Sequence, residues 1–165
     1  MSANNIFLRP AVETDACCMS AIHIAAIKAL PATLYSEEEL LAWRNYLDQP
    51  DGANLLRSMK IKNCWVAIDK NVIVGFTSYI FDELIALYVH PKHQGQGVGR
   101  ALVNHFCEAA SKQGIEKVIT TASLYAEGFY RRLGFKFIER APHYLKRGMI
   151  VPVSKMSKNL PPATK

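Results

Sequence analysis

The sequence predicts a single-domain α/β protein with a mixed sheet flanked by helices, and two observations support this fold class. Apolar residues recur at helical spacing in some segments and in short β-rich runs in others, in the order β-α-α-β-β-β-α-β-α-β-β. The chain has 165 residues, of which 50% are hydrophobic and 21% charged, enough apolar material for the core of one domain. We expect that domain over residues 1–153 and a polar C-terminal tail over residues 154–165.

The first third of the chain is predicted to contain one strand and three helices. Ser36 and Glu39 have capping-box spacing, which predicts the start of a helix. Apolar residues at three- and four-residue steps support the helix before it. The predicted elements are a strand at Ile6 to Arg9, a helix from Thr14 or Asp15 to before Pro31, a helix beginning at Ser36 and a short helix around Ala53 to Met59.

The rest of the chain is predicted to begin with a hairpin and then to alternate strands and helices. Two β-rich runs, Cys64 to Ile68 and Val72 to Ile80, flank the turn-like segment Asp69-Lys70-Asn71. The later elements are a strand at Glu83 to Val89, a helix at Gly99 to Gln113 closed by Gly114, a strand at Lys117 to Thr121, a helix at Tyr125 to Leu133, and strands at Lys136 to Glu139 and His143 to Pro152.

Charge and composition narrow the classes of partner. The net charge of +6 suits an anionic partner, but the basic residues form no continuous basic arm, so no nucleic-acid partner is expected. No apolar run approaches the roughly 18 residues of a membrane helix. The opening residues lack a basic region followed by an apolar one. We therefore expect a cytoplasmic protein without a membrane partner.

The cysteine pattern predicts no metal site. Cys17, Cys18, Cys64 and Cys107 form no CxxC pair and no zinc-type spacing with histidine. We interpret them as reduced core residues.

The most informative stretch is Gln94-Gly95-Gln96-Gly97-Val98-Gly99-Arg100, where a strand leads through a glycine-rich loop into a helix. Glycine lets the backbone approach a ligand closely, and the first helical turn carries unpaired N–H groups with partial positive charge. This combination predicts a pyrophosphate site, the alternative being a turn without a ligand. A Walker loop is excluded because Gly99 is followed by Arg100-Ala101, and the spacing is not that of a dinucleotide-binding fingerprint.

Two blocks resemble the GNAT superfamily of acyl-CoA-dependent N-acetyltransferases. Gln94 to Gly99 matches its signature Gln/Arg-x-x-Gly-x-Gly/Ala, and Ser123 to Phe135 resembles its helix ending in Phe-Tyr-x-x-x-Gly-Phe. The blocks occur in the expected order with a strand between them. The resemblance implies a GNAT-like single domain with a central mixed, mostly antiparallel sheet, and acetyl-CoA as cosubstrate.

The resemblance also implies how coenzyme A would be held. The strand at Leu87 to Val89 would pair with the pantetheine arm like an additional strand, and the amides from Gln94 to Arg100 would hold the pyrophosphate. Ser123 stands where many members have Asn. The expected cofactor-binding residues are Leu87, Tyr88, Val89, Gln94, Gly95, Gln96, Gly97, Val98, Gly99, Arg100, Ser123 and Tyr130.

Two residues are expected to be catalytic. The resemblance implies that Tyr130 lies beside the CoA sulfur and protonates the leaving thiolate, although helical spacing alone favours a core residue. Because an ammonium ion has no lone pair, a group must accept its proton. Glu83, at a strand start where one branch of the family places its base glutamate, is the first candidate, with a solvated turn as the alternative interpretation. His23 and His143 are further candidates.

Other nucleophilic chemistry is not expected. Cys107 lies on the apolar face of its helix, which argues against an acyl-cysteine, and Ser123 lacks the context of a catalytic triad.

The resulting hypothesis is an N-acetyltransferase that moves an acetyl group from acetyl-CoA to a primary amine by direct attack in a ternary complex. The alternative is a non-catalytic CoA-binding sensor or interaction module on the same fold. The stretch from Leu34 to Trp43 resembles a segment of small bacterial GNAT proteins, and Tyr35 and Trp43 are candidates to line an acceptor pocket. Trp43 also lies on an apolar stripe of its helix, which favours a core residue. The sequence does not identify the acceptor amine, which can belong to a small molecule or to a protein. It also leaves open whether the protein forms a homodimer.

Overall fold

The computed structural model describes residues 5–47, 52–145 and 148–162. Two parts of the sequence predictions lie outside these ranges. The first is residues 1–4, on which the expected absence of a leader partly rests, and the second is residues 163–165 of the predicted tail. The strands are β1 Phe7–Pro10, β2 Asn63–Asp69, β3 Val72–Ile80, β4 Glu83–Val89, β5 Lys117–Ala122, β6 Lys136–Tyr144 and β7 Ile150–Asn159. The helices are α1 Ala16–Lys28, α2 Glu37–Leu47, α3 Ala53–Met59, α4 Val98–Lys112 and α5 Glu127–Arg132, with 3-10 turns at Glu13–Asp15 and Pro91–His93.

The strands form one mixed sheet in the order β1-β2-β3-β4-β5-β7-β6. All neighbouring pairs are antiparallel except β4 and β5, which are parallel. The parallel pair requires a crossover, which α4 supplies. The predicted fold class, a mostly antiparallel mixed sheet flanked by helices, is confirmed.

Local signals placed several elements correctly. The Ser36 amide donates to Glu39 Oε2 at 2.7 Å, and the Glu39 amide donates to Ser36 Oγ at 3.1 Å, which is the predicted capping box at the start of α2. Lys70 and Asn71 have φ of 47° and 66°, the left-handed conformation that closes a tight β2–β3 hairpin. Gly114 ends α4 with a φ of 78°.

The prediction of a polar tail from residue 154 is wrong. Residues 154–159 continue β7, which lies between β5 and β6 and pairs with both. Ser154 and Met156 are fully buried, and Leu160 is nearly so. The sequence of this segment is polar because it contains several lysines and serines and few apolar residues. In a strand, however, alternate side chains point to opposite faces, so only the inward-facing positions need to be apolar. The strand predicted at His143 to Pro152 is likewise divided between β6 and β7.

The interpretation of all four cysteines as core residues is wrong for Cys17 and Cys18, which are exposed. The buried positions of α1 include Met19, Ile22 and His23, and helical geometry turns residues 17 and 18 away from that face. Cys64 is buried and Cys107 half-buried, and burial raises the pKa of both thiols.

Helices cover both faces of the sheet. On one face Val103 and Phe106 of α4 pack against Leu84 and Tyr130, and on the other Met19 and Ile22 of α1 pack against sheet residues. None of the helices in the described ranges is long and apolar enough to cross a membrane. Strand β4 therefore has helices on both of its faces, with β3 along one edge and β5 along part of the other.

Candidate active site

The centre of the site is the place where β4 and β5 separate. The two strands are parallel and pair at two positions only, Glu83 with Ile119 and Leu84 with Thr120. Strand β4 continues to Val89, so its last five residues have no partner in β5. Thr120 Oγ1 donates to the Leu84 carbonyl at 3.1 Å at this last pair. Beyond it, the edge of β4 faces an opening in the sheet.

The backbone of β4 presents hydrogen-bonding groups to this opening. The His90 amide donates to the Val74 carbonyl of β3 at 2.8 Å. Because successive residues of a strand direct their N–H groups to opposite edges, the amides of Leu87 and Val89 point away from β3. The Val89 carbonyl on that edge accepts a hydrogen bond from Gln94 Nε2 at 3.3 Å. An extended ligand can pair with this edge as an additional strand would.

The glycine-rich loop leads from this edge to the N-terminus of α4. Gly95 and Gly97 have φ of 73° and 87°, and a Cβ at either position would meet no atom within 4 Å. No side chain of the described residues caps the helix. The Ala101 amide donates to the Gly97 carbonyl at 3.0 Å, so the preceding amides of the first turn are left for a ligand. Such a turn attracts an anion.

Gly99 is required for a different reason. A Cβ at Gly99 would lie 3.1 Å from Cζ of the Phe129 ring, closer than side chains ordinarily pack. Glycine here lets the start of α4 approach α5, which carries Tyr130.

A cavity of about 790 Å³ lies along the open edge of β4. Gln96 is the one predicted cofactor-binding residue that does not line it, and its side chain donates to the Lys92 carbonyl at 3.3 Å. His23, Tyr35 and Cys107 also do not line the cavity. The predicted residues that do line it are Glu83, Leu87, Tyr88, Val89, Gln94, Gly95, Gly97, Val98, Gly99, Arg100, Ser123, Tyr130, His143 and Trp43.

Tyr130 belongs both to the core and to the cavity. It is 5% exposed, and its ring packs edge-on against Phe129 and Phe135, with centroid distances of 5.1 and 5.3 Å. Burial raises the pKa of Tyr130, and the nearby Thr120 side chain offsets only part of this effect. The hydroxyl therefore keeps its proton at neutral pH, as a proton donor must.

The three candidate bases have different surroundings. Glu83 is half-buried at the start of β4 and lines the cavity. His143 lines the cavity beside Trp43, at a ring-centroid distance of 5.9 Å, and burial lowers its pKa. His23 is fully buried below Tyr88, with ring centroids 4.5 Å apart. Burial lowers the pKa of His23 to about 4, and it has no access to the cavity.

The helix α5 is held in place by a polar network that the sequence did not reveal. Glu127 accepts hydrogen bonds from Ser154 Oγ at 2.6 Å, Arg140 Nη1 at 2.7 Å and Arg131 Nη2 at 2.8 Å. These bonds, the one from Ser154 first, lower the pKa of Glu127 to about 2. Because Ser154 and Arg140 belong to β7 and β6, the network ties the start of α5 to the sheet. No sequence signal connects Glu127 with residues 13 and 27 positions away.

Ser123 forms a turn before α5. Its Oγ accepts a hydrogen bond from the Ala126 amide at 3.2 Å, and the residue lines the cavity. Its hydroxyl proton is not used in that bond and can be donated to a ligand. Within the three described ranges, no cluster of at least three His, Cys, Asp or Glu residues is arranged to hold a metal ion.

The chain is similar to N-acetyltransferases in sequence and in structure. A family model described as "Acetyltransferase (GNAT) domain" matches residues 60–137. YafP of Escherichia coli K12, named an uncharacterized N-acetyltransferase, is 28% identical over 83% of this chain and 85% of its own.

Two solved structures share the fold over nearly the whole chain. The PaiA N-acetyltransferase of Thermoplasma acidophilum, solved in complex with coenzyme A, is 20% identical with a TM-score of 0.75 over 94% of this chain and 99% of its own. A GCN5-related N-acetyltransferase from Rhodopseudomonas palustris is 30% identical with a TM-score of 0.90 over 97% of this chain and 99% of its own. The chain therefore belongs to the GNAT superfamily of acetyl-CoA-dependent N-acetyltransferases.

Proposed function

We propose that the protein is a cytoplasmic enzyme that transfers an acetyl group from acetyl-CoA to a primary amine by direct attack in a ternary complex. The observation that carries this proposal is the open edge of β4, which lies between the α4 N-terminus and the buried hydroxyl of Tyr130. Acetyl-CoA supplies the acetyl group as a thioester, which an amine attacks readily.

The cavity fits the cosubstrate. The amides and carbonyls of Leu87 and Val89 would pair with the pantetheine arm, and the first turn of α4 would hold the pyrophosphate. The open space above Gly95 and Gly97 would admit the phosphates. Arg100 and Arg132 also line the cavity and would add positive charge near them.

The amine must lose a proton before it attacks. Glu83, the one carboxylate among the described residues that line the cavity, would accept this proton directly or through water. The amine nitrogen then forms a bond to the acetyl carbon, and the carbon–sulfur bond breaks. An amide on the open edge of β4 would polarise the thioester oxygen, and Tyr130 would give its proton to the departing sulfur. The nitrogen would lose its second proton to become the neutral amide, and this proton would return to the Tyr130 oxygen directly or through water.

A non-catalytic CoA sensor is the rival function. A sensor needs the phosphate loop and the strand edge, but it does not need a proton donor and a carboxylate in the same cavity. The presence of Tyr130 and Glu83 along one cavity therefore supports the enzyme. A nucleic-acid-binding function would instead show binding that falls steeply with salt and ignores coenzyme A.

Cofactor binding is tested by thermal unfolding with and without coenzyme A. A ligand at about 100 times its dissociation constant stabilises a protein by roughly 2.7 kcal/mol, so the unmodified protein should unfold at a higher temperature. Gly97→Val should remove this shift, since a branched side chain would occupy the phosphate approach. Gly114→Val is the matched control, because it introduces similar backbone strain at the other end of α4 and should keep the shift. Absence of a shift in the unmodified protein would refute the assignment.

Catalysis is tested by release of free thiol from acetyl-CoA in the presence of a panel of amines. Amine-dependent release together with an acetylated product supports the enzyme. Stabilisation by coenzyme A without turnover of any amine would instead favour the sensor.

A further inference from the structure

One side of the cavity is an apolar wall formed by Ile27, Leu30, Trp43, Tyr125 and Val153. These residues come from α1 and its C-terminal end, α2, the turn before α5, and β7. Ile27, Trp43 and Val153 belong to one buried cluster with Tyr35, Leu145 and Val151 behind them, and Leu30 and Tyr125 pack against that cluster. The wall is therefore part of a packed core and is formed before any ligand binds.

The hydroxyl of Tyr125 in this wall and the hydroxyl of Tyr35 behind it are already used within the protein. The Tyr125 hydroxyl interacts with Thr33 Oγ1 at 2.9 Å and accepts a hydrogen bond from the Leu34 amide at 3.1 Å. Behind it, the Tyr35 hydroxyl donates to the Pro152 carbonyl at 2.7 Å and accepts from the Leu124 amide at 2.9 Å. These bonds fix the segment after α1 against β7 and against the turn before α5. Tyr125 consequently contributes carbon surface to the cavity, not a free hydroxyl.

Charged residues enter the cavity from other elements. Arg100 lies in the first turn of α4, Arg132 at the end of α5 and Lys62 just before β2. His143, next to the wall, is kept neutral at pH 7 because burial lowers its pKa. Among the described residues that line the cavity, Glu83 alone supplies a negative charge.

We infer that the acceptor is a monoamine whose amino group is carried on an uncharged aliphatic or aromatic body, which packs against the apolar wall. This inference rests on the proposed function and adds the substrate class. A single carboxylate can balance a single ammonium group, so the further ammonium groups of a polyamine would be desolvated without a partner. A phosphate or carboxylate on the acceptor would likewise lose its water against the carbon surface of this wall.

The inference is tested by comparing kcat/KM for amines of each class with the unmodified protein. Phenethylamine and hexylamine represent the expected class, and spermidine, glucosamine 6-phosphate and glutamate represent the excluded classes. We expect kcat/KM to be at least about 10²-fold higher for the first class, because rejection of unpaired polar groups gives selectivities of this order or larger. Equal or faster turnover of the charged acceptors would overturn the inference and leave the proposed function intact. If none of the five amines were acetylated, the proposed substrate class would be wrong. The shift in unfolding temperature caused by coenzyme A would then show separately whether the cosubstrate site exists.

Two aspartate substitutions locate the acceptor body. Leu30→Asp places a charge on the apolar wall and should lower kcat/KM for phenethylamine at least about tenfold, mainly through KM, with the coenzyme A shift retained. Leu41→Asp is the matched control, because Leu41 is 46% exposed on α2 and does not line the cavity. It should leave kcat/KM unchanged. An undiminished kcat/KM for phenethylamine in Leu30→Asp would contradict the placement, and Leu30→Ala, a milder change, should alter KM in the same direction.

Discussion

Thr120 and Leu84 form the last residue pair between β4 and β5, and the Thr120 hydroxyl donates to the Leu84 carbonyl at 3.1 Å across it. The bond closes the sheet at the point where the two strands begin to separate. Thr120 also lies near the buried hydroxyl of Tyr130. It thus connects the geometry of the opening to the position of the proposed proton donor.

Replacement of Thr120 by valine should reduce turnover, because it removes this bond and leaves the Leu84 carbonyl without that partner. We expect a loss of unfolding free energy of about 1 kcal/mol and a fall in kcat. The matched control is Thr77→Val, since Thr77 Oγ1 donates to the Ala86 carbonyl at 2.8 Å from the other edge of β4. Chemical denaturation and steady-state kinetics should show similar stability losses for both variants. A similar loss of kcat in both would contradict a specific role for Thr120.

Replacement of Tyr130 by phenylalanine should separate chemistry from packing. The ring contacts are retained and only the proton donor is lost, so turnover should fall by about 10²-fold or more while coenzyme A affinity stays nearly unchanged. Tyr79→Phe is the control, because Tyr79 is a buried tyrosine of the same core cluster that does not line the cavity. If Tyr130→Phe kept its turnover but bound coenzyme A more weakly and was less stable, Tyr130 would be a core residue and not the proton donor.

Glu83→Gln should change the pH dependence of the rate. A glutamine cannot accept the ammonium proton, so the loss should be large at neutral pH and smaller at high pH, where the amine is already deprotonated in solution. Asp82→Asn, at the exposed neighbouring position, should leave the pH–rate profile unchanged. A profile unaltered by Glu83→Gln would assign the proton to another group, and His143 is the next residue to replace.

The buried imidazole of His23 should lower the free energy of unfolding of the protein in mild acid. Its pKa falls from an ordinary 6.5 to about 4 because the ring is buried, so the unfolded chain binds a proton more readily than the folded one. Stability is unaffected above pH 6.5, falls as the pH is lowered from 6.5 to 4, and then levels off. At about 1.4 kcal/mol per pH unit, the total loss is about 3 kcal/mol.

His23→Phe tests this origin, since it keeps an aromatic ring against Tyr88. Denaturation curves measured between pH 7 and pH 4.5 should show a smaller pH dependence in the variant. His105 and His143, whose pKa values are also lowered by burial, contribute in the same direction and are present in both proteins. If the unfolding free energy of both proteins had the same pH dependence, that dependence would come from His105 and His143 and not from His23.

Local patterns in the sequence were sufficient for most elements and for the glycine-rich loop that leads into α4. The Ser36–Glu39 capping box, the β2–β3 turn and the glycines before α4 act over a few residues, so their physical cause lies within the printed sequence. The same holds for α1, although its two adjacent cysteines were assigned to the wrong face.

The tertiary structure decided the features that depend on distant segments. The pairing of residues 154–157 on both edges, the separation of β4 from β5, and the Glu127 network each require contacts that no local pattern encodes. The apolar wall is the clearest case, since the bond from Tyr35 to Pro152 joins residues 117 positions apart. Sequence alone determined where coenzyme A phosphates were expected, because a helix N-terminus is a local property. The surface proposed for the acceptor was decided only by folding, because packing brought α1, α2 and β7 to the same cavity.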